Sequence, residues 1–456
     1  ESDYNFTLQE ADADGKLSTK YYKIDLKPET FSTSPRISWA AVGEDQKDAA
    51  DVVEVKLPND QVKYFKYTYT QPEGRTVYNA RQQKLSGNID ADFVGNVSDA
   101  HGGAIYNDYS SAAIENLTGD FVNNENAPRT VMALGGAIYN YNASIKNILG
   151  DFTNNSLTGS SAEGGALYNR GTINEIEGDF VGNSVSGSNK AVGGAVSNAN
   201  QGTINVVNGN FIANHLSGKN TYGGAISIQP ISDSGTIHNI TGDFIGNYAI
   251  ASNEGSGGAL HNHGGAMKQI VGDFINNYVS ATSHSKGGAI DMFTSSKNHI
   301  IGDFIGNHAL SVSGGAYGGA FYGNKSDIEG NFIANYVQST GGAAGGGAVS
   351  NNTSATGFLN GDFVGNFVKK GKNGYGGAIY NSEYYNKDIT GNFIANYVIA
   401  SESASGGAVY IGNRIMNSDA GSAIGRLSGS LLNNYAKSTS ASALALGGAV
   451  MINNDF

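Results

Sequence analysis

Cysteine is absent from all 456 residues and proline occurs only six times. Without cysteine the chain cannot be a disulfide-stapled scaffold. With so little proline, its 65 glycines cannot belong to a collagen, which also needs Gly at every third position. Positive charge is scarce too, with 28 Lys and Arg against 40 Asp and Glu and a net charge of −12. That sign opposes binding to phosphate backbones by counterion release, so nucleic acid is not an expected partner. No apolar run approaches the ~18 residues of a spanning helix, and Glu1 to Glu10 is too polar for the apolar part of a secretory leader. A non-spanning chain is expected, with any targeting segment removed or never present. What remains is 39% hydrophobic and 10% aromatic, enough for a core.

Composition shifts near residue 80. Residues 1–80 hold only three glycines (Gly15, Gly43, Gly74) but four of the six prolines and the single Trp39. Val52 to Leu57 and Val62 to Thr70 alternate apolar or aromatic with polar residues, as half-buried strands do. Leu57-Pro58-Asn59-Asp60 between them reads as a turn, giving a hairpin. Residues 1–84 are therefore expected to form a small β-rich cap, and residues 85–456 a separate repeat domain.

The repeat is plain from residue 85 onward. Phe-x-x-Asn begins at Phe93, Phe121, Phe152, Phe180, Phe211, Phe244, Phe274, Phe304, Phe332, Phe363 and Phe393, with Leu431 to Asn434 as a degenerate twelfth copy. Each is followed by Gly-Gly-Ala, starting at Gly102, Gly135, Gly164, Gly193, Gly223, Gly257, Gly287, Gly318, Gly346, Gly376, Gly406 and Gly447. The mean period is about 31 residues, within the solenoid range. Val, Ile, Phe and Tyr dominate short pieces with no helical periodicity, which excludes helical repeats. A propeller blade would need four strands and ~40 residues. The expected fold is an all-β, right-handed parallel β-helix of about twelve coils.

In such a coil, each position forms a column with the same position of its neighbours, ~4.8 Å apart. The motif phenylalanines would stack in the core. Ile105, Ile138, Leu167, Val196 and Ile226 would form a second inward column. Asn96, Asn124, Asn155, Asn183, Asn214, Asn247, Asn277, Asn307, Asn335, Asn366 and Asn396 suit a corner, since Asn tolerates the left-handed conformation and its amides can bond along the stack. The paired glycines permit a sharp bend or a close backbone approach. The stretch between Asn and Gly-Gly, from five residues (Val97 to His101) to twelve (Tyr435 to Leu446), reads as a loop emerging on one side of the solenoid.

These alternating F-x-x-N and G-G-A-[I/L/V] motifs resemble the passenger repeats of chlamydial polymorphic outer-membrane proteins and, more broadly, the β-helical passengers of autotransporters. The resemblance covers about residues 85–454. It implies export, display at the bacterial surface and a role in adhesion or surface architecture. Those families carry a C-terminal membrane β-barrel, whereas this chain stops at Asn454-Asp455-Phe456, just after a GGAV copy. A bacterial relative of these proteins, or a processed passenger-like segment, is the expectation.

Chemistry needs a singular cluster, and most acids here are repeated. Asp120, Asp151, Asp179, Asp243, Asp273, Asp303 and Asp362 precede the motif Phe, sharing that column with Asn210, Asn331 and Asn392. Asp exchanging with Asn suggests a hydrogen-bonding turn role ahead of a cation column or catalysis. His261 and His263 would point to one face of a strand as metal ligands. With no third ligand nearby in sequence, they read as a solvated pair. Glu10, Asp12, Asp14 and Gly15 imitate a calcium loop, but Tyr21 stands where the bidentate Glu belongs, so a polar turn is expected. Tyr248, Tyr278, Tyr336, Tyr397 and Tyr435, and Tyr106, Tyr139, Tyr168, Tyr322, Tyr380 and Tyr410, could stack on sugars, or simply cover one another along the sheet.

The resulting expectation is a non-enzymatic surface or secreted solenoid with no cofactor, metal or catalytic residue. It would bind itself head to tail, or a cell-surface protein or glycan. Tyr4, Phe6 and Leu8 at one end, and Val450 and Ile452 at the other, are the candidate assembly ends. The rival is a carbohydrate-active β-helix whose site hides in an irregular repeat.

Overall fold

The computed structural model describes the strands Tyr4–Ala11, Leu17–Leu26, Ser38–Val42, Val52–Lys56, Val62–Thr68 and Thr76–Tyr78. It also describes residues 86–454 apart from 99–100, 109–112, 128–131, 230–234, 295–296, 352–356, 382–387, 414–425 and 441–442. The chain divides into two compact units, Glu1–Gly218 with Gly224–Gly242, and Lys219–Gly223 with Asp243–Phe456. No helix occurs among the described residues. In each unit, parallel strands stack as a β-solenoid.

One coil of the first unit shows the plan. Leu167–Glu177, Phe180–Val181 and Ser184–Val192 form its three sides. Each side pairs in parallel with its counterpart in the preceding coil, Leu167 on Ile138, Phe180 on Phe152 and Val185 on Leu157. The backbone of one coil thus satisfies that of the next, and side chains alternate between the lumen and the outside.

The lumen is built from the columns read in the sequence. Phe93, Phe121, Phe152, Phe180 and Phe211 are fully buried in the first unit, with successive ring centroids 4.6–4.8 Å apart. Phe244 to Phe393 repeat this in the second at 4.7–4.9 Å, the planes within 5° of parallel. The spacing is that of adjacent strands, so ring stacking and backbone pairing are satisfied together. Each buried ring contributes roughly 1.5–3 kcal/mol from apolar burial. The second inward column holds as well, Ile105, Ile138, Leu167, Val196 and Ile226 being paired in register and buried.

The motif asparagines are buried, but they are not the left-handed residues. That conformation falls one position earlier, at Gly246, Asn276, Gly306 and Ala334 (φ 53° to 67°) and at the equivalent Gly, Asn or Ala of other coils. The motif Asn serves instead through its amide. Asn277 Nδ2 donates to Asn307 Oδ1 (3.0 Å) and to the Phe244 carbonyl (2.8 Å). Its Oδ1 accepts from the Asn247 side chain and backbone N–H, both at 2.9 Å. The same pattern joins Asn96 to Asn124, Asn155, Asn183 and Asn214, and Asn307 to Asn335, Asn366 and Asn396. Every hydrogen-bonding group of the amide is used, which is what makes so polar a column tolerable in a core.

Both proposed roles of the glycine pair occur. Gly257 has φ +65°, and a Cβ on Gly258 would lie 2.0 Å from the Gly288 carbonyl oxygen of the next coil. The first glycine turns the chain and the second admits a neighbouring backbone.

The stretch between Asn and Gly-Gly is not a simple loop. In many coils it is a strand, including Ser156–Glu163, Ser184–Val192, Tyr248–Ser256 and Tyr397–Ser405. Small inward residues such as Ala162, Ala191 and Ala404 are buried there. A Ser- and Gly-rich segment becomes extended when the coils on either side offer it a complete ladder.

In the N-terminal region, Val52–Lys56 pairs antiparallel with Val62–Thr68, as the hairpin reading expects, and Ser38–Val42 adds a third strand. The turn at Pro58, and Asp12, Asp14 and Gly15 of the calcium-loop imitation, lie outside the described residues. The strand carrying Tyr4, Phe6 and Leu8 is not a free edge. It pairs with Leu17–Leu26 on one side and, through Thr7 to Gln9, with Thr76–Tyr78 on the other. Those pairings compete with docking onto another subunit. Val450 is paired on Val409, while Ile452 is exposed.

Candidate functional site

The acids before the motif Phe act as ladder acceptors. Asp120 Oδ1 accepts the backbone N–H of Asp151 (2.8 Å) and Asp303 Oδ1 that of Asn331 (2.7 Å). Asn331 Oδ1 takes the same place for Asp362 (3.0 Å). Only an acceptor oxygen is required, which is why Asp and Asn exchange here. Burial lifts Asp92 of this column to about 6; a bond from the Asp120 N–H opposes the rise, and the Asp120 and Asp90 charges add to it.

The tyrosines after the motif Asn cover one another. Tyr248, Tyr278, His308, Tyr336, Phe367, Tyr397 and Tyr435 form one stack, with centroids 4.5–5.1 Å apart and planes within 6° of parallel. Ring faces inside this stack are taken, so the structural reading holds for it. Tyr106, Tyr139 and Tyr168 also stack, and Tyr139 and Tyr168 pack with Leu134 and Ala199 in one cluster. Tyr380 and Tyr410 lie tilted at 5.6 Å.

One place breaks this regularity. At the outward position that Tyr322, Tyr380 and Tyr410 occupy, two adjacent coils carry His261 and Asp291, paired in register through the strands Leu260–His263 and Ile290–Phe293. Strand alternation places His263 on the same face as His261, their rings 4.3 Å apart. His263 Nε2 lies 3.1 Å from Asp291 Oδ1. The ligand atoms of all three residues lie within 4.8 Å of one another, and no other such group of three His, Asp or Glu residues occurs among the described residues.

The histidines are therefore not a solvated pair. His261 is 3% exposed and Asp291 fully buried, while the side chain of His263 is 43% exposed. The Tyr222 ring packs at 5.0 Å on His261, and Phe293 meets His263 edge-on. Burial pushes the Asp291 carboxyl up, but the charge and hydrogen bond of His263, with His261 and Lys286, pull it below its ordinary value. For His263, burial acts downward and the Asp291 charge and bond upward, leaving it raised.

Reading along the strand found the two histidines and missed the carboxylate, which is 28 residues beyond His263. Laying the copies over one another exposes it, because GGALHNH and GGAIDMF are consecutive and both put an ionisable group where neighbouring copies have Tyr or Ser. No family model, characterised protein or solved structure matches the chain.

Proposed function

We propose that this chain is a non-enzymatic β-solenoid, displayed on a bacterial surface or secreted, that acts as an adhesin or structural surface element. The observation that carries this reading is how the repeated polar residues are used. The acids of the Asp column accept backbone N–H groups through Oδ1, and the motif amides bond to one another, so these repeated groups are engaged in holding coils together. Within each unit the surface left over is a regular array suited to display and multivalent contact. The motif resemblance to passenger repeats supports export, and the lack of cysteine is compatible with it. The partner class is a cell-surface protein or glycan, or a second copy of the chain.

The rival carbohydrate-active reading needs acids that a polymer can reach. Asp291, in the singular cluster found among the described residues, is fully buried. Two measurements test the proposal: protease shaving of intact producing cells followed by detection of the chain, and adherence to cells of beads coated with purified protein. Surface cleavage with adherence above uncoated beads is the expected result. Confinement to the cytoplasm, or turnover of an acidic glycan lost on replacing one Asp or Glu, overturns it.

A further inference from the structure

We propose that His261, His263 and Asp291 form a binding site for one divalent transition-metal ion of the zinc class. Two imidazoles and a carboxylate are the donors such ions prefer, whereas calcium and magnesium take all-oxygen shells. The geometry is close to what is needed. Bonds of ~2.0–2.1 Å in a tetrahedron put donors roughly 3.4 Å apart. His263 Nε2 and Asp291 Oδ1 are already at 3.1 Å, and no pair of the three donors exceeds 4.8 Å. Ring rotations of about an ångström complete the set.

A second observation points the same way. Asp291 is fully buried, and its Oδ2 has no hydrogen-bond partner among the described residues. A buried carboxylate oxygen left in that state is costly, and a cation held by the same carboxylate removes the cost. Three protein donors leave the fourth position open on the partly exposed His263 side, where water or a donor from a bound molecule can enter. An ion fits a site that a polymer cannot enter.

The charges facing the cluster make the proposal sharper. Lys286, over the Tyr322 ring, bears on both His263 and Asp291 and opposes a divalent ion. Tyr222 packs on His261, and the Glu254–His284 pair lies on strands that pair with each other in the adjoining sheet. Lys286→Gln should therefore bind metal several-fold more tightly.

The test uses the full chain without a histidine tag, stripped with chelator and dialysed. Zn²⁺ is titrated calorimetrically, and Co²⁺ is followed by the intense visible bands of a tetrahedral site. One ion per chain is expected, with affinity falling about a hundred-fold or more in Asp291→Asn and in His263→Gln. Circular dichroism and Tm without metal identify any variant that fails to fold; His263, being partly exposed, is the safer of the two. No uptake by the parent, uptake of Ca²⁺ in preference to Zn²⁺, or unchanged affinity in a folded His263→Gln chain overturns the site.

Discussion

Replacing Asn277 by Asp changes one nitrogen to oxygen in the middle of the amide ladder, and the structure says what that should cost. The two bonds accepted by Oδ1 from Asn247 survive. The two donated by Nδ2, to Asn307 Oδ1 at 3.0 Å and the Phe244 carbonyl at 2.8 Å, are replaced by contacts between acceptors. Losing two bonds at ~1 kcal/mol each, and leaving a buried charge against two oxygens, sums to about 3–5 kcal/mol at neutral pH. Protonation restores one donor, so the folded-state pKa of the new Asp lies above the unfolded value near 3.9. A raised pKa means the lost stability returns as pH falls through that folded value. The control is Asp303→Asn, which keeps the acceptor for the Asn331 N–H and mimics a natural exchange of its column. It should stay within about 1 kcal/mol of the parent. Urea unfolding of the full chain at several pH values, with hydrogen exchange at the Asn247 and Asn277 amides, provides the comparison. If Asn277→Asp equals Asp303→Asn in stability at neutral pH, or weakens relative to the parent on acidification, the ladder argument is wrong.

Phe274→Asp puts a charge between Phe244 and Phe304 and opens a void, so a loss of several kcal/mol is expected; a variant with the parental Tm refutes the column. Ala334 holds a left-handed conformation (φ 54°) where other coils use Gly, so Ala334→Gly should stabilise by about 0.5–1 kcal/mol, and a destabilised variant in urea unfolding counts against that account. Burial between Tyr278 and Tyr336 lowers His308 to about 4, against a smaller upward effect of its bond to the Gly306 carbonyl. The ring is neutral in the fold while the unfolded chain takes up a proton below about 6.5, so stability should fall between pH 6.5 and 4 by at most about 3 kcal/mol, less for the ring's partial exposure. His308→Tyr, matching its neighbours, should flatten Tm over that window relative to the parent; parallel curves disprove the assignment.

The period, the core and its polar ladder were legible in the sequence because a solenoid writes its tertiary contacts as repetition. Coils one strand spacing apart force equivalent residues into contact, so Phe274 above Phe244 follows from an interval of about 30 residues. The glycine pair was equally readable, since only Gly can both turn and admit a neighbouring carbonyl at Gly257 and Gly258. Other features needed the folded chain. Whether the left-handed residue is the motif Asn or the one before it depends on which direction the amide must point, and the ladder assigns the turn to Asn276 rather than Asn277. The Ser- and Gly-rich stretches are strands because adjacent coils supply their hydrogen bonds, a property no local window contains. His261 and His263 were visible as a pair, but the burial of His261 comes with Tyr222 packing on its ring, and the carboxylate that His263 meets arrives from the next coil. A candidate site made from a departure in two consecutive repeats exists only once those repeats are stacked.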